Sequence, residues 1–283
     1  MNNYQIFVTI VAIFTAILGA SATIFKDDIK KCLDLEVGYC PVTKVITYSN
    51  GNRYQGDVVS LKLNGKGVFT YADGDRYEGD FRNDNFHGKG IYIWADGLRY
   101  EGEWKDGKRH GKGLQTLKNG DRYEGEWKDG KRHGKGLLTL KDGGRYEGNF
   151  LEDNYNGKGI FIYADGRRYE GDFSNDHFNG SGTMTYSKDS KKKRYEGEWK
   201  DDNYDGKGKL IWSDGDSYEG YWRNGKYQGS GVYTLANGDR YEGEWVDDNL
   251  NGLAVKIYSN GSREYQLWQD GKLMKTSSSA TIP

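Results

Sequence analysis

Aromatic, apolar and polar positions alternate along most of this chain in short runs that are typical of β-strands. In the run YEGEW, which begins at Tyr123, the tyrosine, glycine and tryptophan fall on one face of a strand and the two glutamates on the other. A polar, glycine-containing turn is predicted over Lys128–Gly134, and a second strand over Leu137–Leu140. Another glycine-rich turn, Asp142–Arg145, leads to the next YEG, so the pattern predicts a β-hairpin.

The hairpin pattern returns every 23 residues through most of the chain. A three-residue insertion follows the sixth copy, and degenerate copies lie at Thr47–Arg53 and from Tyr265 onward. Because one hairpin cannot bury its aromatic face alone, the predicted fold is an all-β repeat array, an elongated, twisted antiparallel sheet of stacked hairpins. The nine regular rows begin at Tyr54, Tyr77, Tyr100, Tyr123, Tyr146, Tyr169, Tyr195, Tyr218 and Tyr241.

Two features of each row predict the core of this sheet. A glycine follows each opening tyrosine by two residues, and a side chain there would collide with the neighbouring ring or backbone. Rings on the same face should form a continuous aromatic seam. The ring positions that we assign to the core are Tyr77, Trp104, Tyr123, Trp127, Tyr146, Tyr169, Trp199, Tyr241 and Trp245.

Composition supports short strands with tight turns, and it narrows the list of partners. The 283 residues include 42 glycines and 2 prolines, aromatic residues make up 14%, and hydrophobic residues make up only 35%. The formal net charge is -1, so no overall positive field attracts nucleic acid, and inward-facing rings are not free to stack on bases. We therefore expect no nucleic-acid partner, and no motif predicts a cofactor.

The run YEGEWKDGKRHGKG and its 23-residue period resemble the MORN repeat, named for membrane occupation and recognition nexus. The resemblance covers Tyr54 to Arg263 and implies a role in binding proteins or lipids, in dimerisation or in membrane attachment. In kinases and methyltransferases that carry such repeats, catalysis resides in a separate domain, so we expect no enzyme here. The predicted organisation is an apolar helix over 1–25, a linker over 26–46, the repeat array over 47–263, and a degenerate repeat and tail over 264–283.

The N-terminal segment carries no charge from Asn2 to Phe25. As a helix, Ile6–Phe25 would span roughly 30 Å, which is the thickness of a bilayer core. We predict a single-pass membrane anchor, and the lysines that follow it slightly favour a cytoplasmic position for the repeats. The alternatives are a signal peptide cleaved after Ala22, which would give a periplasmic or secreted protein, and a helix packed on the sheet.

The two cysteines, Cys32 and Cys40, lie close together in the predicted linker. They are a candidate disulfide if the repeats are exported, and two free thiols otherwise. No histidine or third cysteine lies near them in the sequence, so no metal site is predicted there.

Other repeated polar residues do not predict catalysis or metal binding. His87, His110 and His133 share one predicted turn position, but rows about 10 Å apart would place them too far apart for one zinc ion. The glutamate after all but the first opening tyrosine and the arginine before most of these tyrosines predict an exposed charge ladder. The calcium-like run Asp201–Gly206 lacks the glutamate needed at the twelfth loop position, so it predicts a turn.

The insertion contains an unusual basic cluster of Lys188, Lys191, Lys192, Lys193 and Arg194. A basic loop near a membrane attracts anionic headgroups by about 1 kcal/mol for each charge, and it would suit an acidic partner for the same reason. The alternative interpretation is a solvated insertion without a ligand.

Some rows depart from the pattern and should present a distinct contact surface or pack less tightly. Tyr221 and Asn149 replace the second acidic residue of their rows, and Gln115 and Lys256 replace an apolar residue. The function we predict is a membrane-anchored scaffold that binds a protein partner through its extended β surface. Self-association through the ends and anionic-lipid binding through the basic cluster are the further predictions.

Overall fold

The computed structural model of the protein describes residues 44–60 and 62–279. The predicted helix over 1–25, Cys32, Cys40, most of the predicted linker and residues 280–283 lie outside this part of the chain. No helix long and apolar enough to cross a bilayer occurs among the residues that the structure describes.

The regular secondary structure of the described residues consists of 21 short β-strands, which confirms the predicted all-β class. The strands are β1 (Lys44–Thr47), β2 (Arg53–Val59), β3 (Lys62–Thr70), β4 (Arg76–Arg82), β5 (Asn85–Ile93), β6 (Arg99–Lys105), β7 (Lys108–Thr116), β8 (Arg122–Lys128), β9 (Lys131–Thr139), β10 (Arg145–Leu151), β11 (Asn154–Ile162), β12 (Arg168–Ser174), β13 (His177–Thr185), β14 (Lys192–Lys200), β15 (Asn203–Trp212), β16 (Ser217–Arg223), β17 (Lys226–Thr234), β18 (Arg240–Val246), β19 (Asn249–Ile257), β20 (Arg263–Gln269) and β21 (Lys272–Ser277).

The chain divides into two units. The first ends at Lys141 and contains β1–β9, and the second begins at Asp142 and contains β10–β21. Within each unit, every strand pairs antiparallel with the next strand along the chain, as expected of stacked hairpins. The degenerate copies at both ends of the array also form strands, because β1 pairs with β2 and β20 with β21.

The turn inside each row is shorter than the sequence predicts. In the fourth row only Asp129 (φ 51°) and Gly130 (φ 89°) form the turn, and β9 already begins at Lys131. Two residues at positive φ match the right-handed twist of paired strands, so asparagine, aspartate and glycine recur there. The predicted turn over Lys128–Gly134 is therefore wrong. The polar residues of Lys131–Gly134 are strand residues, which need no apolar alternation because one face of the sheet is exposed.

In several rows, an aspartate side chain is hydrogen-bonded to the backbone of the next row. The Asp75 carboxylate accepts one hydrogen bond from the Ala95 backbone N–H at 2.9 Å and another from the Tyr92 hydroxyl at 2.7 Å. Asp121 and Asp216 likewise accept a hydrogen bond from a backbone N–H of the following row, that of Lys141 and that of Ala236, at 2.9 Å in each case. The inter-row turns are thus fixed by these carboxylates in addition to the strand ladder.

The opening tyrosine of a regular row lies flat over a pair of facing glycines. Gly79 faces Gly90, and a Cβ atom on Gly79 would lie 2.5 Å from the Gly90 Cα atom and 2.6 Å from the Tyr77 hydroxyl. The Tyr77 hydroxyl donates a hydrogen bond to the Asp80 carbonyl at 2.9 Å. The predicted need for glycine is therefore real. The opening tyrosines that are at most 2% exposed are Tyr54, Tyr77, Tyr100, Tyr123, Tyr146, Tyr169, Tyr195 and Tyr218.

Within each unit, the tryptophan or phenylalanine four residues after an opening tyrosine bridges neighbouring rows. The Trp104 ring meets Tyr100 edge to face at 5.1 Å, and it meets Tyr77 of the preceding row at 5.5 Å. Its indole N–H donates to the Gly90 carbonyl at 3.2 Å. Edge-to-face rings with a satisfied N–H form a close-packed seam. Trp104, Trp127, Trp199 and Trp245, all assigned to the core from the sequence, are 3–7% exposed.

Tyr241 differs from the other tyrosines that we assigned to the core, because it is only half-buried. The residue that faces Gly243 in this ninth row is Ala254, whose side chain is buried. In the preceding row a Cβ atom on the equivalent Gly231 would overlap the Tyr218 ring. The Ala254 methyl group, with the Leu250 side chain beside it, therefore takes the space that the ring would need, and Tyr241 lies toward Lys256 instead.

Candidate binding grooves

The sheet of each unit has two unlike faces. The aromatic face carries the tyrosine and tryptophan seam. The charged face carries the residues on either side of each glycine, such as Glu78 and Asp80 beside Gly79. Aromatic rings on the first face pack mainly against one another, so the polar contacts available to a partner lie mostly on the second.

One line of side chains on the charged face alternates in charge across the strands of the first unit. Lys66 lies opposite Asp80, and their charged groups are 2.5 Å apart. Lys89 lies opposite Glu103 in the next row. Burial acts to raise the pKa of Asp80, but the hydrogen bond and charge of Lys66 outweigh it and hold that pKa below the usual value. The positive and negative charges along this line therefore largely cancel one another.

The same carboxylates also bind the backbone of their own row. Asp80 accepts a hydrogen bond from the Lys89 N–H at 2.9 Å, across an irregularity where Gly88 has φ 60°. Glu103 accepts from the Lys112 N–H at 3.0 Å in the same way. This structural role was not predicted from the sequence, although an acidic residue recurs three positions after most opening tyrosines and was a visible signal.

A second line on this face consists of exposed ion pairs between an arginine and the glutamate two residues later. Arg76 and Glu78 are 2.5 Å apart, and Arg99 and Glu101 are 2.6 Å apart. All four side chains are more than a third exposed, so each pair adds little stability. This is the exposed charge ladder that the sequence predicts.

Each unit has an open groove on its charged face, floored by glycine backbone. The first-unit groove has a volume of 950 Å³. Its floor includes Gly79 and Gly90, and its walls alternate between charged and aliphatic side chains. The wall residues are Gln55, Asp57, Lys66, Val68, Glu78, Lys89, Ile91, Glu101, Glu103 and Lys112.

The second-unit groove has a volume of 1040 Å³ and a different lining. Two large apolar side chains are exposed in it, Tyr221 (43%) and Leu253 (63%). Its other wall residues are Glu196, Lys207, Lys209, Ser217, Glu219, Ser230, Val232, Thr234, Glu242 and Glu244. The sequence marked Tyr221 as a departure from the repeat, but it did not mark Leu253.

A smaller hollow of 510 Å³ lies on the aromatic face of the first unit. It forms where Gln115 stands in place of the ring that other rows provide, beside Trp94 and Trp104. The Arg109 side chain borders it, with its guanidinium carbon 4.2 Å from the centre of the Trp127 ring. This hollow shows that a departure from the repeat changes the aromatic face as well.

The basic cluster of the insertion is only partly a loop, because β14 begins at Lys192. The Lys192 ammonium lies 4.8 Å from the centre of the Tyr204 ring, and burial lowers the Lys192 pKa. Arg194 pairs with Glu196 at 2.7 Å. The members of the cluster that remain exposed without such contacts are Lys188, Lys191 and Lys193.

The histidines lie in strands rather than in turns, which corrects the sequence prediction. His87, His110 and His133 lie within β5, β7 and β9, just before a glycine at positive φ. The described part of the chain contains no group of three metal-ligating side chains. His177 lies elsewhere, with its Nδ1 atom 2.6 Å from the Asp202 carboxylate, which raises its pKa.

The calcium-like run forms the turn of a hairpin. Asp201 (φ 46°) and Asp202 (φ 65°) are its two central residues, and Asn203 already belongs to β15. The Asp202 carboxylate accepts a hydrogen bond from the Phe178 N–H at 2.7 Å. Turn chemistry thus accounts for these residues.

Stacked hairpin rows with one packed aromatic face and one grooved, charged face define a β-repeat protein. The MORN repeat family model matches nine segments, 54–76, 77–99, 100–122, 123–145, 146–167, 169–191, 195–217, 218–240 and 241–263. The chain therefore belongs to the MORN-repeat family.

No curated protein matches the chain at a significant level. Among solved structures, the TCP10 domain of Danio rerio CPAP is similar at 11% identity and a TM-score of 0.37, covering 83% of this chain and 99% of that chain. The same domain in complex with a peptide of Danio rerio STIL is similar at 10% identity and 0.36, covering 86% and 98%. The TCP10c domain of Drosophila melanogaster Sas-4 follows at 13% and 0.22, covering 82% and 96%. The family assignment rests on the nine repeat matches.

Proposed function

We propose that this chain is a membrane-anchored MORN-repeat scaffold that binds a protein partner along its charged face. The observation that carries the proposal is the pair of open grooves, of 950 Å³ and 1040 Å³, one in each unit. Such grooves would leave a small ligand largely in water, whereas small-molecule sites usually enclose most of the ligand surface. An extended protein segment gains contacts along the whole groove.

The lining of the grooves suits a protein segment. The floor between the walls is strand backbone at positions such as Gly79 and Gly90, where a side chain would point to the aromatic face, so a partner can reach the backbone between the walls. The walls offer carboxylates, ammonium groups and short aliphatic side chains within one surface. Mixed polar and apolar surfaces of this kind are usual in protein interfaces that form and dissociate.

Site-specific photo-crosslinking in full-length protein tests the scaffold function. A photoreactive residue would replace Val68 in the first-unit groove or Val232 in the second-unit groove, and the exposed turn residue Asp129 would serve as the control position. We expect one defined protein to crosslink from a groove position and not from Asp129. Absence of a crosslink at both Val68 and Val232 would contradict the proposal.

Membrane attachment through 1–25 is part of the proposal and needs its own test. The full-length protein would be fractionated, its N-terminal mass measured, and a C-terminal reporter used that is active on one side of the membrane. We expect an intact N-terminus in the membrane fraction with the repeats on the cytoplasmic side. A new N-terminus at Thr23 with an exported reporter would instead establish a periplasmic or secreted protein and favour a disulfide between Cys32 and Cys40.

Anionic-lipid binding is the second candidate, supported by the exposed lysines Lys188, Lys191 and Lys193. Full-length protein in nanodiscs of neutral or anionic lipid would be compared by backbone hydrogen exchange over residues 187–193. Slower exchange with anionic lipid, abolished when the three lysines are changed to glutamate, is the expected result. Equal exchange in both lipids would remove this candidate.

A further inference from the structure

The line of alternating charges on the charged face ends before the last rows of the array. In most earlier rows an acidic residue follows the opening tyrosine by three positions and a lysine follows it by twelve, as Asp80 and Lys89 do. Glu198 and Lys207 still follow this rule in the second unit, where Glu198 accepts a hydrogen bond from the Lys207 N–H at 3.0 Å. The rows that open at Tyr218 and Tyr241 depart from this rule.

Apolar residues replace the charges at these positions. Tyr221 stands where the acidic residue belongs in the eighth row, and Leu253 stands where the lysine belongs in the ninth. Leu253 lies directly opposite Leu267 of the next strand, in a position that Lys89 and Glu103 fill in the first unit. Leu253 is 63% exposed, which makes it the most exposed large hydrophobic side chain among the described residues.

The same change leaves a carboxylate without its usual neighbour. Ser230 replaces the lysine opposite Glu244, and Glu244 has no ion pair within the described residues. Four carboxylates and only two lysines line this groove. Both lysines already have contacts, since Lys209 pairs with Glu219 at 2.9 Å and Lys207 lies 5.2 Å from the centre of the Tyr221 ring.

We propose that the second-unit groove binds a basic protein segment with apolar side chains on either side of its charge. Tyr221 and Leu253 contact the apolar side chains, and Glu244 pairs with the lysine or arginine between them. The proposal rests on the scaffold function and specifies the chemistry of the partner. Charge complementarity selects this occupant, because the unpaired carboxylate of Glu244 repels an acidic segment. A purely polar segment would leave the exposed Leu253 side chain without an apolar contact.

Strand spacing fixes the pattern of the partner. Tyr221 is on β16, Glu244 on β18 and Leu253 on β19. Adjacent strands lie about 4.8 Å apart and an extended chain rises about 3.3 Å per residue, so the basic residue follows the first apolar one by roughly three positions. The second apolar residue follows the basic one after roughly one or two more positions.

The test uses full-length protein in detergent and three fluorescent peptides, measured by anisotropy at two salt concentrations. One peptide carries leucine, lysine and leucine at the inferred spacing; the second has glutamate for the lysine, and the third has serine for both leucines. The first peptide should bind at least tenfold more tightly than either of the others. Salt should weaken the first complex.

Two substitutions restore the residue type of the regular rows and therefore preserve the fold. Tyr221→Glu and Leu253→Lys should each weaken binding of the leucine–lysine–leucine peptide about tenfold. Glu244→Gln should weaken it and remove most of its salt dependence. Lys89→Ser, in the first-unit groove, is the matched control and should leave binding unchanged.

Equal binding to wild type and Leu253→Lys, or preference for the glutamate peptide, would overturn the inference. A partner that crosslinks from Val68 but not from Val232 would also overturn it, while leaving the scaffold function intact. Absence of crosslinks from both positions would instead contradict the scaffold function itself. The two failures are therefore distinguishable.

Discussion

The eighth and ninth rows carry different residues opposite the opening tyrosine, and their opening tyrosines lie in different environments. Tyr218 is fully buried over Gly231, and its hydroxyl donates to the Tyr221 carbonyl at 3.2 Å. Tyr241 is only half-buried, and the residue in the place of that glycine is Ala254. The difference teaches that burial of a tyrosine in this repeat depends on the residues across the strand pair, which are Gly231 in the eighth row and Ala254 with Leu250 in the ninth.

The ninth row nevertheless remains attached to the seam through its tryptophan. Trp245 is 7% exposed, and its indole N–H donates to the Gly231 carbonyl of the preceding row at 3.2 Å. Its ring also meets Tyr218 edge to face at 5.5 Å. The tryptophan therefore links successive rows, while the tyrosine fills the space over a glycine pair within its row.

The largest expected effect is the loss of stability in alkali. Burial, aided by nearby carboxylates, raises the pKa of Tyr77, Tyr169 and Tyr218 well above the ordinary value of 10.0. The unfolded chain then releases protons above pH 10 that the folded chain keeps. Stability is thus fully present below pH 10 and falls by about 1.4 kcal/mol per pH unit for each such tyrosine above it.

Denaturant unfolding at a series of pH values, followed by tryptophan fluorescence, measures this loss. Tyrosinate absorbance in the same samples should appear together with unfolding rather than before it. A free energy of unfolding that stays constant as the pH rises past 10 would contradict the structural account of the buried phenols.

A smaller but local effect is expected from Gly231→Ala, which brings the ninth-row arrangement into the eighth row. The new methyl group would overlap the Tyr218 ring and expel it. Exposure of one buried ring and loss of its hydrogen bond should lower the free energy of unfolding by about 3 kcal/mol. Urea unfolding measures the change, with Ser230→Ala on the exposed charged face as the control; equal stability of both variants would contradict the model of glycine-dependent burial.

Removing single hydroxyl groups should separate the two kinds of tyrosine. The Tyr195 hydroxyl donates to the Glu198 carbonyl at 2.9 Å, so Tyr195→Phe should cost about 1 kcal/mol. Tyr241→Phe should change stability by less than about 0.5 kcal/mol, as for a surface substitution. Parallel urea titrations measure the change in the free energy of unfolding for both variants. Equal losses at the two positions would contradict the distinction between the buried and the half-buried tyrosine.

The smallest stability change is expected from Ala254→Gly, which should let the Tyr241 ring return to the regular position. Burial of the ring is offset by the greater freedom that glycine gives the unfolded chain, so the net change should be within about 1 kcal/mol. The decisive readout is chemical: nitration of Tyr241, followed by mass spectrometry, should be fast in wild type and slow in the variant. Unchanged nitration would show that Ala254 does not hold the ring out.

The sequence was sufficient for the class of fold because period and alternation repeat the same information nine times. It was insufficient for strand bounds, since Lys131–Gly134 is polar throughout and lies in a strand with one open face. It also misplaced Tyr241, because the residue that decides its burial, Ala254, is thirteen positions away in sequence and becomes its neighbour only through strand register.

The grooves were less accessible to sequence reasoning than the fold. Tyr221 was visible as a departure from the repeat, but its relation to Leu253 depends on which strands lie side by side. Lys192 belonged to a basic run in sequence, and only the structure turns its side chain toward Tyr204. Charges along a chain show composition, whereas register decides which of them meet.

Side-chain bonds between successive rows make the row a unit of inheritance as well as of folding. Asp75 is joined to Ala95 and Asp121 to Lys141 by the same contact, so several rows offer their neighbours equivalent groups. The rows that open at Tyr100 and Tyr123 share the run YEGEWKDGKRHGKGL. Unequal recombination between their coding sequences would add or remove a whole row and preserve the pattern of strand pairing. The length of this protein can therefore change in complete steps of one hairpin.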